Sequence, residues 1–207
     1  MSEGDILKYR ILLIFLGLLS ANFNAIANDT KLTQFIGVGI SDKSGATVAL
    51  KFIPPDEDGW SAKNSGLSVT LKNSTDSEDD SREIKTYLMR VEAPISPITD
   101  YIKTIRRNTL EGYADSKKFK VNALEITEDS KDARCVRVHL VLEGIQAEPL
   151  MKQKRWSEQY VLSCGLLKCK GLGFELRYYH RYLDSNRDPQ FDEKAAKVIE
   201  SVVIQDD

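Results

Sequence analysis

The stretch Arg134-Cys-Val-Arg-Val-His-Leu-Val-Leu-Glu143 decides the fold class, because its apolar and polar residues alternate with the period of a β-strand. Two segments of similar character follow it, Arg155–Cys164 and Gly173–Leu183. In each of them, every second side chain is mostly apolar or aromatic, as expected for a strand with one face in the core. Three such segments in succession predict an antiparallel sheet at the centre of the molecule.

Five further segments have the composition of strands, with β-branched and aromatic residues bounded by turn residues. They are Gln34–Ile40, Ala46–Ile53, Leu67–Leu71, Ile84–Val91 and Phe119–Thr127. The first two are separated by Ser41-Asp-Lys-Ser-Gly45, which has the composition of a turn. We therefore expect a hairpin near the start of the domain.

Two helices complete the pattern. The first is predicted over Ser96–Gly112, where Ser96 is placed to cap the helix and Pro97 suits its first position. Its apolar residues recur at helical spacing. The second follows Asp188-Pro189 and carries an apolar stripe through Phe191–Val202. Both stripes are expected to pack against the sheet.

This order of elements resembles the PsbP-like fold over Gly59–Ile204, with Gly59-Trp60 ahead of a strand and a closing helix that runs to Ile204 and contains Val198-Ile-Glu-Ser-Val202. That family includes the lumenal extrinsic subunit of photosystem II and exported bacterial relatives. The resemblance implies an α+β domain, an antiparallel β-sheet flanked by helices as an αβα sandwich. It also implies a binding or assembly role without a cofactor, since proteins of that fold are mostly non-enzymatic. It transfers no catalytic residue.

The N-terminus indicates export. Lys8 and Arg10 precede the apolar run Ile11–Leu19, and Ala25-Ile-Ala27 supplies a cleavage pattern of small residues. The apolar run is too short for a transmembrane helix, which needs about 20 apolar residues. We therefore predict a signal peptide over residues 1–27, cleavage between Ala27 and Asn28, and a single domain over 28–207 in the periplasm or outside the cell. Because Glu3 and Asp5 weaken the basic segment, an uncleaved anchor is the alternative.

Three cysteines in an exported chain predict one disulfide and one remaining thiol. A Cys164–Cys169 bond would close a short loop and is favoured for that reason. A Cys135–Cys164 bond, the main alternative, would link two adjacent antiparallel strands. Zinc is not expected, because no histidine pair accompanies the cysteines and a structural zinc site needs four ligands.

Charge and motif content exclude several functions. The chain has 29 basic and 31 acidic residues, so no basic excess favours nucleic acid. No G-x-S-x-G motif is present. Cys135 and His139 would share a strand face but lie roughly 13 Å apart, too far for a direct hydrogen bond. Glu158 and Glu175 fall within strands, where they would form cross-strand ion pairs or, alternatively, the acid and base of a hydrolase.

Arginine and aromatic residues on the predicted strands form a candidate protein-interaction patch, since both residue types are common at binding hot spots. The patch comprises Arg137, His139, Arg177, Tyr179 and Arg181. The leading hypothesis is thus an exported, non-catalytic subunit that binds an envelope protein or a membrane-associated complex. One alternative is a small-molecule-binding protein with a pocket between the sheet and helix Ser96–Gly112. The other is a hydrolase, which would require a raised pKa at Glu158 or Glu175.

Overall fold

A computed structural model describes residues 35–41, 47–73, 77, 80–91, 95–145, 154–167 and 169–206. The predicted signal peptide over residues 1–27 and its cleavage site at Ala27 and Asn28 lie outside the described residues. Neither α-helix in these ranges is both long enough and apolar enough to cross a membrane.

The described part of the chain contains ten strands and two α-helices, which we number in chain order. The strands are β1 Ile36–Ser41, β2 Thr47–Phe52, β3 Trp60–Asn64, β4 Ser68–Asn73, β5 Asp80–Arg90, β6 Phe119–Glu128, β7 Cys135–Gly144, β8 Arg155–Gly165, β9 Leu172–Leu183 and β10 Val203–Asp206. The α-helices are α1 Ile98–Ala114 and α2 Phe191–Glu200, and a short 3-10 helix covers Asp184–Asn186.

These strands form two antiparallel sheets. The large sheet has seven strands in the order β3-β4-β5-β9-β8-β7-β6, and the small sheet has three in the order β1-β2-β10. The predicted central strands β7, β8 and β9 are direct neighbours, as expected for segments that follow one another along the chain. The predicted hairpin of β1 and β2 is confirmed.

The large sheet has two different faces, because alternate side chains of each strand point to opposite sides. We call the side that carries Val138 and Val161 the helix face, since α1 packs on it. We call the other side the core face. It carries Leu162 and Tyr178, which pack with residues of the small sheet and with Phe191 of α2.

The predicted αβα sandwich is wrong, because the chain is dominated by its two sheets. Of the helices that the structure describes, only α1 covers the helix face, and the core face packs mainly against the small sheet, with the short helix α2 beside it. The closing helix ends at Glu200, and Val203–Asp206 pairs with β2 as a strand instead. Consecutive β-branched residues in Val202-Val203-Ile204 favour this extended conformation. The PsbP-like fold is not confirmed.

The disulfide joins Cys135 to Cys164. These residues are direct cross-strand partners in the register of β7 and β8, which brings their sulfur atoms together without any change in the backbone. The favoured pairing of Cys164 with Cys169 is therefore wrong, and Cys169 retains its thiol. The alternative pairing across adjacent strands is the correct one.

Candidate binding cavity between helix α1 and the large sheet

A cavity of about 590 Å³ lies between α1 and the helix face of the large sheet. Pockets that enclose small molecules generally measure about 300–1,000 Å³. Strands β7, β8 and β9 form its floor, α1 forms one wall, and the end of β5 forms the other. This is the position at which the sequence predicts a pocket for a small-molecule-binding protein.

The middle of the cavity floor is apolar. Val138 and Leu140 of β7 and Val161 of β8 all line it, and their exposed fractions are 6% or less. They share one face because their positions alternate along neighbouring strands that are in register. An apolar body bound above them would be removed from water on one complete side.

Helix α1 presents a mixed wall to the cavity. Tyr101, Ile105, Asn108 and Gly112 line it at spacings of four, three and four residues, which places them along one side of the helix. Gly112 has no side chain, and a Cβ atom built at that position has no neighbour within 4 Å. Gly112 is exposed to solvent, so the wall is open there and a side chain can be added without a clash at its Cβ atom.

A buried hydrogen bond fixes α1 to the floor. The Tyr101 hydroxyl lies 2.8 Å from the Ser163 hydroxyl, and the exposed fractions of both residues are 3% or less. Burial raises the pKa of Tyr101, so the hydroxyl stays neutral. The bond holds the N-terminal half of α1 over β8 and keeps one end of the cavity in place.

An ion pair occupies the cavity side formed by β9 and β5. The Glu175 Oε1 atom accepts hydrogen bonds from the Arg177 Nε atom and the Tyr87 hydroxyl. Burial, together with the charge of Glu175, raises the pKa of Tyr87, which remains a neutral donor. Burial alone would lower the pKa of Arg177, but the Glu175 carboxylate outweighs it and raises that pKa. Arg177 therefore stays protonated and pairs with the Glu175 side chain.

Gln159 lies on the floor and has one unpaired polar atom, which water does not reach. Its exposed fraction is 4%, and its Oε1 atom is buried without a hydrogen-bond partner among the described residues. Its strand neighbours on the helix face are Leu140 and Tyr179. Buried carbonyl oxygens are nearly always hydrogen-bonded in folded proteins, so this atom is an exception among the described residues that line the cavity.

The structure divides the predicted interaction patch between the two faces of the large sheet. Arg177 is in register with Val161, so Arg177, Tyr179 and Arg181 lie on the helix face. His139 is in register with Tyr160, so Arg137 and His139 lie on the core face. The five residues do not form one surface. Arg137 is instead paired with Asp129 at the turn before β7, and His139 stacks on Tyr160.

Glu158 is the centre of a separate polar cluster on the core face. It accepts hydrogen bonds from Arg187 at 2.9 and 3.1 Å, from His139 at 2.8 Å and from Tyr182 at 3.3 Å. Burial alone would raise the pKa of Glu158, but the hydrogen bonds from His139 and Arg187 outweigh it and lower the pKa to about 2. The hydrolase alternative requires a raised pKa at Glu158 or Glu175. The pKa of Glu158 is lowered instead, so Glu158 does not meet this requirement.

Sequence reasoning did not identify Gln159, Tyr87, Tyr101 or Arg187 as site residues. A signal for Gln159 exists, because it is a polar residue between Ser157 and Val161 on the strand face that must also bury Val161. No sequence signal distinguishes Arg187 from other loop arginines. Among the described residues, no group of three or more His, Cys, Asp or Glu side chains is arranged to hold a metal ion.

Comparison with known proteins gives little similarity. No protein-family model matches the sequence, and no curated protein matches it significantly. Among solved structures, the chain is similar to LpqN, a protein involved in cell envelope biogenesis of Mycobacterium tuberculosis. The two are 12% identical with a TM-score of 0.49, and the match covers 83% of this chain and 92% of LpqN. A similarity at this level does not establish a shared fold or function.

Proposed function

We propose that this protein is an extracytoplasmic binding protein that holds a small molecule, without catalysis, in the cavity between α1 and the large sheet. The cavity itself carries the proposal. It combines a volume suited to one small molecule with an apolar floor, and a few polar groups surround that floor. Glu158, the most fully hydrogen-bonded carboxylate nearby, lies on the opposite face of the sheet.

The extracytoplasmic location is supported by two observations. The Cys135–Cys164 disulfide favours an oxidising compartment, because disulfides rarely persist in the cytosol. The predicted signal peptide over residues 1–27 points to the same location. A periplasmic or secreted location is therefore part of the proposal.

Ligand binding is favoured over the adaptor hypothesis because the structure separates the residues on which the adaptor hypothesis was based. Arg137 and His139 would need to contact a partner on the core face. The other three residues, Arg177, Tyr179 and Arg181, would need to contact a partner on the helix face. An envelope protein or membrane-associated complex as partner stays a prediction. A ligand in the cavity does not exclude one.

Substitution of Gly112 tests the proposal. Gly112→Trp should cover the open side of the cavity, because Gly112 lines it and a Cβ atom at this position has no neighbour within 4 Å. Gly112→Ala is the matched control. It should stabilise the helix by about 0.5–1 kcal/mol, and its single methyl group should leave the cavity open. Native mass spectrometry would compare the two variants and the wild type, each purified from its own cells.

The expected result is a bound molecule on the wild type and on Gly112→Ala that is absent from Gly112→Trp. Circular dichroism would confirm that the three proteins are folded. If the folded wild-type protein carries no molecule, or if Gly112→Trp carries the same one, the cavity is not the binding site.

A further inference from the structure

We infer that the cavity takes an amphiphilic anion, a molecule with an apolar body and one negatively charged group, and that Arg177 and Lys85 attract the charged group. The inference rests on the proposed function and adds the class of ligand and the residues that select it. It starts from one row of side chains that crosses the whole helix face of the large sheet.

This row of cross-strand neighbours changes from cationic to apolar along its length. Its members on β3, β4, β5, β9, β8, β7 and β6 are, in that order, Lys63, Thr70, Lys85, Arg177, Val161, Val138 and Ile126. The last three belong to the apolar cluster in which Tyr101 of α1 packs. The cavity lies where the two halves meet, because Arg177, Val161 and Val138 all line it. A molecule that lies along this row would have one end beside cations and the other on apolar side chains.

Two cations and one carboxylate lie at the charged end of the cavity. The Lys85 ammonium and the Arg177 guanidinium are 5.5 and 5.9 Å from the centre of the Tyr87 ring, which lines the cavity. The carboxylate is that of Glu175, which accepts hydrogen bonds from Arg177 and Tyr87. One positive charge is therefore left over at this end, and it favours a ligand with a negative charge.

Lys85 is the cation without a carboxylate partner. In the described part of the chain it forms no salt bridge. Glu83, two residues away on the same face of β5, is paired with Lys72 at 3.5 Å. The direct cross-strand neighbour of Lys85 is Arg177, and two like charges in such a pair destabilise a sheet. This pairing of cations opposes folding, and a bound anion would compensate it.

Both cations are within reach of a charged group at this end of the cavity. The Arg177 side chain is 32% exposed, and Lys85 is only partly buried. The negative group would lie beside the Tyr87 ring and stay partly hydrated, so it would not lose all of its hydration on the apolar floor. The two cation–ring distances are shorter than the screening length of about 8–10 Å at physiological ionic strength, so both charges act on the group.

Two probes with one aromatic body test the ligand class. The probe 8-anilino-1-naphthalenesulfonate carries a negative charge, and N-phenyl-1-naphthylamine is the same body without the sulfonate. Fluorescence titration would give the dissociation constant of each probe for the wild type, Gly112→Trp, Lys85→Gln and Lys197→Gln. Lys85→Gln removes the charge and keeps a polar side chain. Lys197→Gln is the matched control, because it removes one exposed charge from α2 on the opposite side of the sheet.

We expect the sulfonate to bind the wild type more tightly than N-phenyl-1-naphthylamine. Lys85→Gln should weaken the binding of the sulfonate about fivefold, which is the effect of one partly exposed ion pair. The affinity for N-phenyl-1-naphthylamine should not change in Lys85→Gln, and neither affinity should change in Lys197→Gln. The melting temperature of Lys85→Gln should equal or exceed that of the wild type, because the change removes a pair of like charges.

The outcomes for the inference and for the proposed function are distinct. Tighter binding of N-phenyl-1-naphthylamine than of the sulfonate would overturn the ligand class. An unchanged sulfonate affinity in Lys85→Gln, an equal loss in Lys197→Gln, or a lower melting temperature of Lys85→Gln would overturn the role of Lys85. Binding of either probe that Gly112→Trp blocks would still support the cavity as the site. If no probe binds in a way that Gly112→Trp blocks, the cavity site and the inference both fail.

Discussion

The guanidinium group of Arg187 binds both carboxylate oxygens of Glu158, with N–O distances of 2.9 and 3.1 Å. The same guanidinium donates to Asp192 in the first turn of α2 at 2.7 Å. Arg187 thereby connects the chain segment after β9 to both β8 and α2. Since the Glu158 carboxylate is almost completely buried and fully engaged, we assign this cluster a structural role.

We expect Glu158→Gln to lower the free energy of unfolding at pH 7 by roughly 2 kcal/mol, because Arg187 loses its charged partner. The pKa of Glu158 is about 2 in the folded protein and 4.5 ordinarily. A lowered pKa stabilises the fold above the ordinary value, and this contribution is lost as pH falls from about 4.5 towards 2. Urea unfolding at several pH values should therefore show the wild type and the variant converging in acid.

Glu193→Gln is the control for this experiment. Glu193 is paired with Lys197 on the exposed side of α2, where solvent screens the pair. We expect this variant to unfold like the wild type at pH 7. An equal loss of stability in both variants, or a difference between Glu158→Gln and wild type that persists at pH 2, would contradict the structural role of Glu158.

Removal of the disulfide should destabilise the protein by about 3.6 kcal/mol, which is the chain-entropy value for a loop of this length. The bond spans a sequence separation of 29 residues and joins β7 to β8 directly. Urea unfolding with and without a reductant would measure the difference. In Cys169→Ala the effect of the reductant should be unchanged, because Cys169 is outside the bond. Loss of the effect in Cys169→Ala would indicate that Cys169 forms the disulfide instead.

Loss of the Tyr101–Ser163 hydrogen bond should loosen α1 from the sheet. We expect Tyr101→Phe to reduce the free energy of unfolding by about 1–2 kcal/mol, because Ser163 is left buried without its partner. Combining it with Ser163→Ala should cost less than the sum of the two single changes, as expected for residues in contact. Tyr113→Phe is the control on the same helix, since the Tyr113 hydroxyl bonds to no described residue. Strictly additive effects would show that the two hydroxyls do not interact.

Much of the secondary structure is predictable from local pattern. The strands β6 to β9 and helix α1 lie within two residues of their predicted bounds, because long periodic segments fix their own structure. Strand β3 was missed, since Ser61-Ala-Lys-Asn64 has no apolar alternation and its residues are exposed beyond Trp60. Strand β10 was predicted as helix, because its apolar residues continue the spacing of α2 and only pairing with β2 makes them a strand.

The residues of the candidate site are less predictable from the sequence than the strands and helices. The alternation within each strand was predicted correctly, but the sequence does not show which face of β9 is continuous with which face of β7. That depends on the register of both strands with β8, and a shift of one residue would exchange the two faces. This is why Arg137 and Arg177 were grouped although they lie on opposite sides of the sheet. The position of a pocket beside α1 was predicted, but its polar residues follow from the same registers.

The most direct test of ligand binding in the cavity is to map the bound probe by nuclear magnetic resonance. Shifts in ¹H–¹⁵N spectra would be recorded for the isotope-labelled protein as N-phenyl-1-naphthylamine is added. Binding in the cavity predicts that the largest changes occur at the backbone amide of Gly112 and the side-chain amide of Gln159, with the indole N–H of Trp60 in the core cluster unchanged. Changes centred on the Trp60 indole and the core face, or no changes at saturating probe, would contradict it.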